Sequence, residues 1–366
     1  MPTWVKPPLA SAPHGVDKLP DVRWTVRGWP WRRRQVAGIQ GWALAGATGA
    51  HLSAASATTP GPTPTHSEAR PPAHHPLMPP TADILEAPAS TLVGQVRDLW
   101  RYPIKSMLGE RRERLEVEER GVVGDRGYAL WDRQARRVAS AKNPRRWADL
   151  LRYSARYLSE PRPGEPLPAV AVTGPFAGPD APEETLHGDD PALAHRLSER
   201  LGREVTLLDQ PPPGASLDHY WPPVEGRERW DATDELVLPA GTFFDSCPLH
   251  ALSTATLAEL RRLEPALDFA VERFRPNLLI DTGTATGFLE ERWLGAVLAI
   301  GDQVRLRVDH DCPRCVITTL AQGDLPENLE ILRATARHNR VVAGIRLSVL
   351  TPGPMAVGDP VRCLPA

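Results

Sequence analysis

A chain of 366 residues is long enough for two modest domains with cores of their own plus a tail. Its 43 basic and 45 acidic residues nearly cancel, which leaves no global field to draw nucleic acid or an anionic membrane. No apolar run reaches the roughly 18 residues of a membrane span. Four irregularly spaced cysteines are too few for a disulfide framework and fit a reducing, cytoplasmic compartment.

Residues 1–90 hold 15 of the 40 prolines, interleaved with Ala, Thr, His and Ser. Such a stretch cannot bury enough apolar surface to offset its ordering entropy, so a disordered extension is expected there. Within it, Arg32-Arg33-Arg34, the weakly apolar Val36–Ala50 and the small residues Ser53–Ala57 follow the order of a twin-arginine export signal. The arginines lie far from Met1, however, and an over-extended start with translation beginning near Met78 is the preferred reading.

From Leu92 short β-rich runs alternate with turns: Leu92–Trp100, Leu115–Val117, Tyr128–Trp131, Arg137–Ser140, Leu151–Tyr157 and Ala169–Thr173, punctuated by Gly121, Gly124 and Gly127. Strands at this spacing predict a small barrel or sandwich. A helix is expected over Pro191–Leu201 with Gly202 as its stop, then a strand over Val205–Leu208. Pro211–Pro213 and the polar stretch to Asp234 read as the connection to a second unit. That unit opens with Leu236–Leu238 and Gly241–Phe244, and Ser253 can cap a helix over Thr254–Leu263. Further strands are expected at Asn277–Asp281, Ala296–Ile300, Val304–Val308, Gly344–Leu350 and Val357–Cys363, with a helix over Pro326–Asn339. The fold class is mixed and β-dominated: a barrel-like N-terminal domain over 91–212 and a second β-barrel domain with peripheral helices over 213–366.

Cys312-Pro313-Arg314-Cys315 carries the first chemical signal. A structural zinc needs four ligands and no second Cys-x-x-Cys exists, although Cys247, His250, His310 and Cys363 could complete a set. A dithiol would open a helix, whereas Val316-Ile317-Thr318-Thr319 favours continuing strand. Inert core cysteines are a further reading, and a soft thiolate beside Arg314 suits a soft, high-valent metal. Spacing alone does not choose among them. Lys105-Ser106, Arg126, Lys142 and Arg275 are cations at strand ends or turns, and together with hydroxyls and turn amides they could form an oxyanion pocket.

As an ordered set, Tyr102–Ser106, Gly124–Gly127, Phe244–Pro248, Phe274–Asn277, Cys312–Thr319 and Gly358-Asp359-Pro360-Val361 resemble the MOSC family (molybdenum cofactor sulfurase C-terminal domain) with its N-terminal β-barrel partner. In organisation the chain is similar to the amidoxime-reducing branch of that family. The resemblance covers about three quarters of the chain and implies a molybdenum cofactor (molybdenum–molybdopterin), with Cys315 as the metal ligand and catalytic thiolate; pyridoxal phosphate is not expected. It implies that Lys105, Ser106, Arg126, Lys142, Ser246, Cys247, Arg275 and Asn277 contact the pterin and its phosphate. Cys312 and Arg314 would line the same loop and Arg346 would add a further contact. Cys247 stands where a hydroxyl is common in relatives, and the segment Leu320–Pro326 is shorter than the family's usual turn.

The activity implied is reduction of small N-hydroxylated substrates, with electrons from a separate donor, a ferredoxin or flavoprotein reductase. The alternative is a sulfur-carrier or cofactor-delivery module in which Cys315 holds a persulfide. Mass spectrometry of the native protein should find an N-terminus near Met78; a mature start near residue 58 would overturn the preferred start.

Overall fold

A computed structural model describes residues 90–224 and 231–364; the expected extension and its arginine triplet lie outside the described residues, Ser90 aside. Seven strands, numbered in chain order, make a closed barrel: β1 (Thr91–Arg101), β2 (Leu249–Ser253), β3 (Leu278–Asp281), β4 (Val297–Ile300), β5 (Val304–Pro313), β6 (Val342–Thr351) and β7 (Pro360–Leu364). Around the barrel the order is β3-β2-β6-β5-β4-β7-β1, and β1 closes it by pairing with β3. All contacts are antiparallel except β2–β3, which as a parallel pair needs a crossover. The helix Thr254–Leu263 supplies it, with Ser253 Oγ accepting from Thr256 N at 3.0 Å.

Alternation explains the barrel core. Val304, Leu306 and Val308 point inward from β5 and pack with Leu298, Ile300, Ile345, Leu347, Leu278, Ile280, Val96 and Leu99. Closing seven short strands requires bending, and β1 bends at two irregularities, between Leu92 and Gly94 and between Val96 and Asp98. Gly94 permits the approach: a Cβ there would run into the carbonyl oxygen of Asp281 on β3.

The intervening residues build a second core. The strands Ala129–Asp132, Arg137–Val138 and Val205–Leu208 form one sheet, and Ser154–Tyr157, Val170–Gly174 and Glu184–His187 another. The helix Pro191–Leu201 sits with Leu193 and Leu197 buried in their shared core. Its expected ends are observed, because Asp190 accepts from Ala192 N at 2.8 Å and Gly202 takes a left-handed φ of 63°. The β-dominated class read from the sequence holds.

Four local expectations differ from the structure. Val316–Thr319 is a 3-10 turn and not continuing strand, since Pro313 ends β5 and the side chains of Val316 and Leu320 are buried in a cluster with Ala141 and Leu151. The stretch read as a polar connection contains an antiparallel pair of strands, Ser216–Trp221 with Ala232–Val237, in which the adjacent polar residues Asp218-His219 and Asp234-Glu235 interrupt any apolar alternation. Gly241–Phe244 forms no strand. The helix expected from Pro326 begins at Glu330, whose N–H donates to Asn328 Oδ1 at 3.0 Å.

Gly94→Ala should destabilise the protein by about 1–3 kcal/mol, the usual cost of forcing a methyl group into packed structure. Urea unfolding would read this as a lower midpoint with an unchanged slope.

Candidate functional site

The turn that follows β1 is built to project charge. Lys105 N donates to Tyr128 O at 2.9 Å, and Ser106 takes a φ of 66°, which turns the chain and buries both side chains. Lys105 Nζ then donates to Phe243 O and to Asp245 Oδ1, each at 2.6 Å. Ser106 Oγ is turned away from this cation and accepts from Ala141 N at 3.0 Å. It thereby ties down the loop that carries Lys142, whose Nζ lies 3.3 Å from the other Asp245 oxygen.

A second pair of cations stacks on one aromatic ring. The turn Gly124–Gly127 places Arg126 at φ 48°, with its N–H on Tyr102 O at 2.6 Å and its guanidinium paired with Asp125. Arg275 ends the short helix Val271–Phe274 in a left-handed conformation. Both guanidinium carbons lie 4.3 Å from the centre of the Tyr102 ring, within the range of cation–π attraction. Arg275 Nη2 donates to Met107 O at 2.7 Å, whereas its Nη1 is buried without a hydrogen-bond partner. Burial, joined by repulsion from Arg126, lowers the Arg275 pKa to about 10.

The cysteine segment closes the cleft. Arg314 Nη1 donates to Cys312 Sγ at 2.9 Å and lies 3.3 Å from His250 Nε2, and its Nη2 donates to Phe274 O. Burial and then the Arg314 charge hold the His250 imidazole well below its ordinary pKa, so it faces Arg314 as a neutral ring. Burial pushes the Cys247 thiol up to about 12, which keeps it protonated. Cys315 is half-buried, extended at φ −127°, and opens the 3-10 turn Val316–Thr319.

One cleft gathers Lys105, Arg126, Lys142, Ser246, Cys247, Arg275, Asn277, Cys312, Arg314 and Cys315. Ser106 and Arg346 are not among its lining residues; Arg346 Nε donates to Asp311 O at 2.8 Å and braces β5 instead. Asn277 lines the cleft, but its side chain ties backbone together, accepting from His250 N and donating to Trp100 O, each at 3.2 Å. Asp245, between two lysines, had no assigned role in the sequence reading, although its motif was singled out. A carboxylate inside a cation cluster was the available signal. Burial opposes its ionisation, yet Lys105 and Lys142 prevail and hold its pKa well below the usual carboxylate range. Burial also opposes charge on Lys142, but Asp245 first and Cys315 second raise its pKa above the ordinary lysine value.

Five cationic side chains therefore face one carboxylate in the lining of the cleft. That surplus, with an orphaned donor on Arg275, suits an anionic ligand. Among the described residues no group of three or more His, Cys, Asp or Glu side chains is placed to hold a metal unaided. The expected zinc alternative therefore finds no ligand set there.

Residues 240–362 match the MOSC domain family, and residues 93–156 match the MOSC N-terminal beta barrel domain. The chain is a MOSC-domain protein. Both matched regions furnish the cleft of this MOSC protein: Lys105, Arg126 and Lys142 come from the first, Asp245, Arg275 and Cys315 from the second. Over 301 residues the chain is 28% identical to the mitochondrial amidoxime-reducing component 1 of Homo sapiens, covering 74% of this chain and 83% of that protein. The Mus musculus counterpart is 27% identical over 307 residues with the same coverage. The mitochondrial amidoxime reducing component 2 of Bos taurus is 34% identical over 131 residues, 32% of this chain and 37% of that protein. No helix among the described residues of the MOSC protein is long and apolar enough to cross a membrane.

Asp245→Asn tests the charge balance. A depressed carboxylate pKa contributes stability that is full above the unfolded value near 4 and is lost as pH falls through the lower folded value. Urea titrations should show the wild type more stable than Asp245→Asn at pH 5–7, with the gap closing below about pH 4.

Proposed function

We propose that this protein is a molybdenum-cofactor oxidoreductase that reduces small N-hydroxylated compounds, with Cys315 as the protein ligand to the metal. The observation that carries the reading is a partly accessible thiol at the edge of a cleft in which five cations face a single carboxylate. A thiolate suits a soft metal, and the surplus positive charge suits the phosphate of a pterin. The kinship with amidoxime-reducing components supports the substrate class.

In this reading Lys105, Arg126, Lys142 and Arg275 hold the anionic end of the cofactor. Arg275 Nη1, buried and without a partner, would then gain an acceptor. Asp245 keeps two lysines charged and separated until an anion competes for them. Cys247, protonated and half-buried, fills the wall, and Arg314 fixes Cys312 beside the pterin site with His250 as its neutral neighbour. When bound, the cofactor supplies two-electron chemistry suited to taking oxygen from nitrogen, and the protein contributes ligation, anchoring and access. A separate ferredoxin or flavoprotein would provide the electrons one at a time.

One feature favours a second reading. Cys315 raises the pKa of Lys142, and a thiolate beside a cation is a competent nucleophile, as a persulfide-carrying sulfur-delivery protein would need. Metal and sulfane-sulfur analysis of protein made in a host that synthesises molybdopterin separates the two. About one molybdenum per chain without sulfane sulfur is the expected result.

Cys315→Ser should reduce benzamidoxime turnover to background while part of the molybdopterin remains bound, because the cations that anchor it are untouched. Wild-type turnover in that variant would remove Cys315 from the role.

A further inference from the structure

Arg273, next in the chain to Phe274 of the cleft lining, is a large buried cation that the proposed chemistry leaves unused. It is 1% exposed, and among the described residues no carboxylate lies within ion-pair distance of it. A buried charge without a counter-ion is costly unless its donors are satisfied. Here they are satisfied by backbone alone. Nε donates to Asp268 O at 3.1 Å, Nη1 to Thr318 O and Leu320 O at 3.4 Å each, and Nη2 to Pro326 O at 2.8 Å.

Three of those four carbonyls belong to the segment that Cys315 begins. Thr318 donates back to Cys315 O through its N–H at 3.2 Å and its hydroxyl at 3.0 Å, so displacing Thr318 displaces the cysteine. Gln322 Nε2 donates to Ile317 O at 3.3 Å and Asn328 N to Thr319 O at 2.7 Å, which makes the segment one knot with Arg273 at its centre. Along the chain in the other direction, Phe274 gives its carbonyl to Arg314 and Arg275 enters the cleft. A planar guanidinium has five donors in a fixed fork and can span carbonyls on several sides, whereas an ammonium is a point.

We propose that Arg273 is a positioning residue for Cys315: it clamps residues 318–326 and so holds the thiol at a set place relative to Arg275 and Arg314, a role that rests on the assignment of Cys315 made above.

The test uses full-length protein from a host that makes molybdopterin, as wild type, Arg273→Met and Arg273→Lys. Hydrogen–deuterium exchange should rise about tenfold or more in peptides covering 312–328 of Arg273→Met, with peptides from β6 and β7 unchanged. Arg273→Lys should show a smaller rise in the same peptides. Per bound molybdenum, kcat for benzamidoxime should fall about tenfold in Arg273→Met, with KM within about twofold of wild type. Unchanged exchange in 312–328, an equal rise in the barrel strands, or a local rise with unchanged kcat would each overturn the proposal. If Arg273→Met does not fold, the same criteria applied to Arg273→Lys decide. Wild-type protein without molybdenum would instead defeat the functional reading, and the exchange measurement would still judge the clamp.

Discussion

The pairing of β1 with both β7 and β3 is the constraint on which the site depends. A strand from the first matched region thereby completes a barrel otherwise built by the second. Antiparallel register sets Leu99 of β1 against Leu278 of β3, so the residues just beyond, Tyr102 on one side and Arg275 to Asn277 on the other, must meet. The parallel contact of β2 with β3 puts the beginnings of those strands side by side, and with them Asp245 to His250. Chemistry scattered over more than 200 residues of sequence converges because the sheet closes. Gly94 matters for the same reason, since it allows β1 to come close enough to Asp281 to finish the ring.

Within the cleft, the useful distinction is between polar groups already committed and those with capacity left. Asn277, and Ser106 beside the cleft, spend their side chains on backbone partners, and Arg126 pairs with Asp125 through one arm of its guanidinium while lining the cleft. Arg275 is different: one arm is anchored on Met107 and the other is buried with nothing to bind. An unsatisfied buried donor costs about 1–3 kcal/mol, a cost that an incoming anion would relieve. Asp245 acts in the opposite sense. It stabilises two buried lysines that would otherwise be driven toward neutrality, at the expense of competing with a ligand for both.

Much of this was legible in the sequence, and the parts that were not share a physical cause. Alternation made the barrel strands readable, as in Val304–Val308, while Gly202 marked the end of one helix and Ser253 the start of another. The antiparallel pair Ser216–Trp221 with Ala232–Val237 was missed because adjacent polar residues, Asp218-His219 and Asp234-Glu235, interrupt any apolar alternation. The 3-10 turn after Cys315 was read as strand because β-branched residues favour strands locally, while tertiary burial decided otherwise. For the site, ten of the twelve sequence-derived residues line one cleft. Asp245 and Arg273 escaped because their roles depend on partners far away in the chain: Lys105 and Lys142 for the one, the carbonyls of Thr318, Leu320 and Pro326 for the other.

The side chains that do the placing are the apolar neighbours of the reactive ones. Lys142 follows Ala141, and Cys315 precedes Val316. Ala141 and Val316 belong to one small buried cluster with Leu151 and Leu320, against which Ile317 and Tyr220 also pack. Neither Lys142 nor Cys315 needs to attract the other, because their adjacent residues are driven together by burial, worth about 1.5–3 kcal/mol for each large aliphatic side chain. Tyr220 N reinforces the arrangement by donating to Lys142 O at 2.8 Å. Proline completes it: Pro313 ends the strand, and Arg314 N turns back to Val341 O at 2.7 Å, so that Cys315 leaves the sheet where the cluster begins. The placing of thiol and lysine is thus set by packing one residue away from each, which explains how residues so far apart in the chain come to line one cleft.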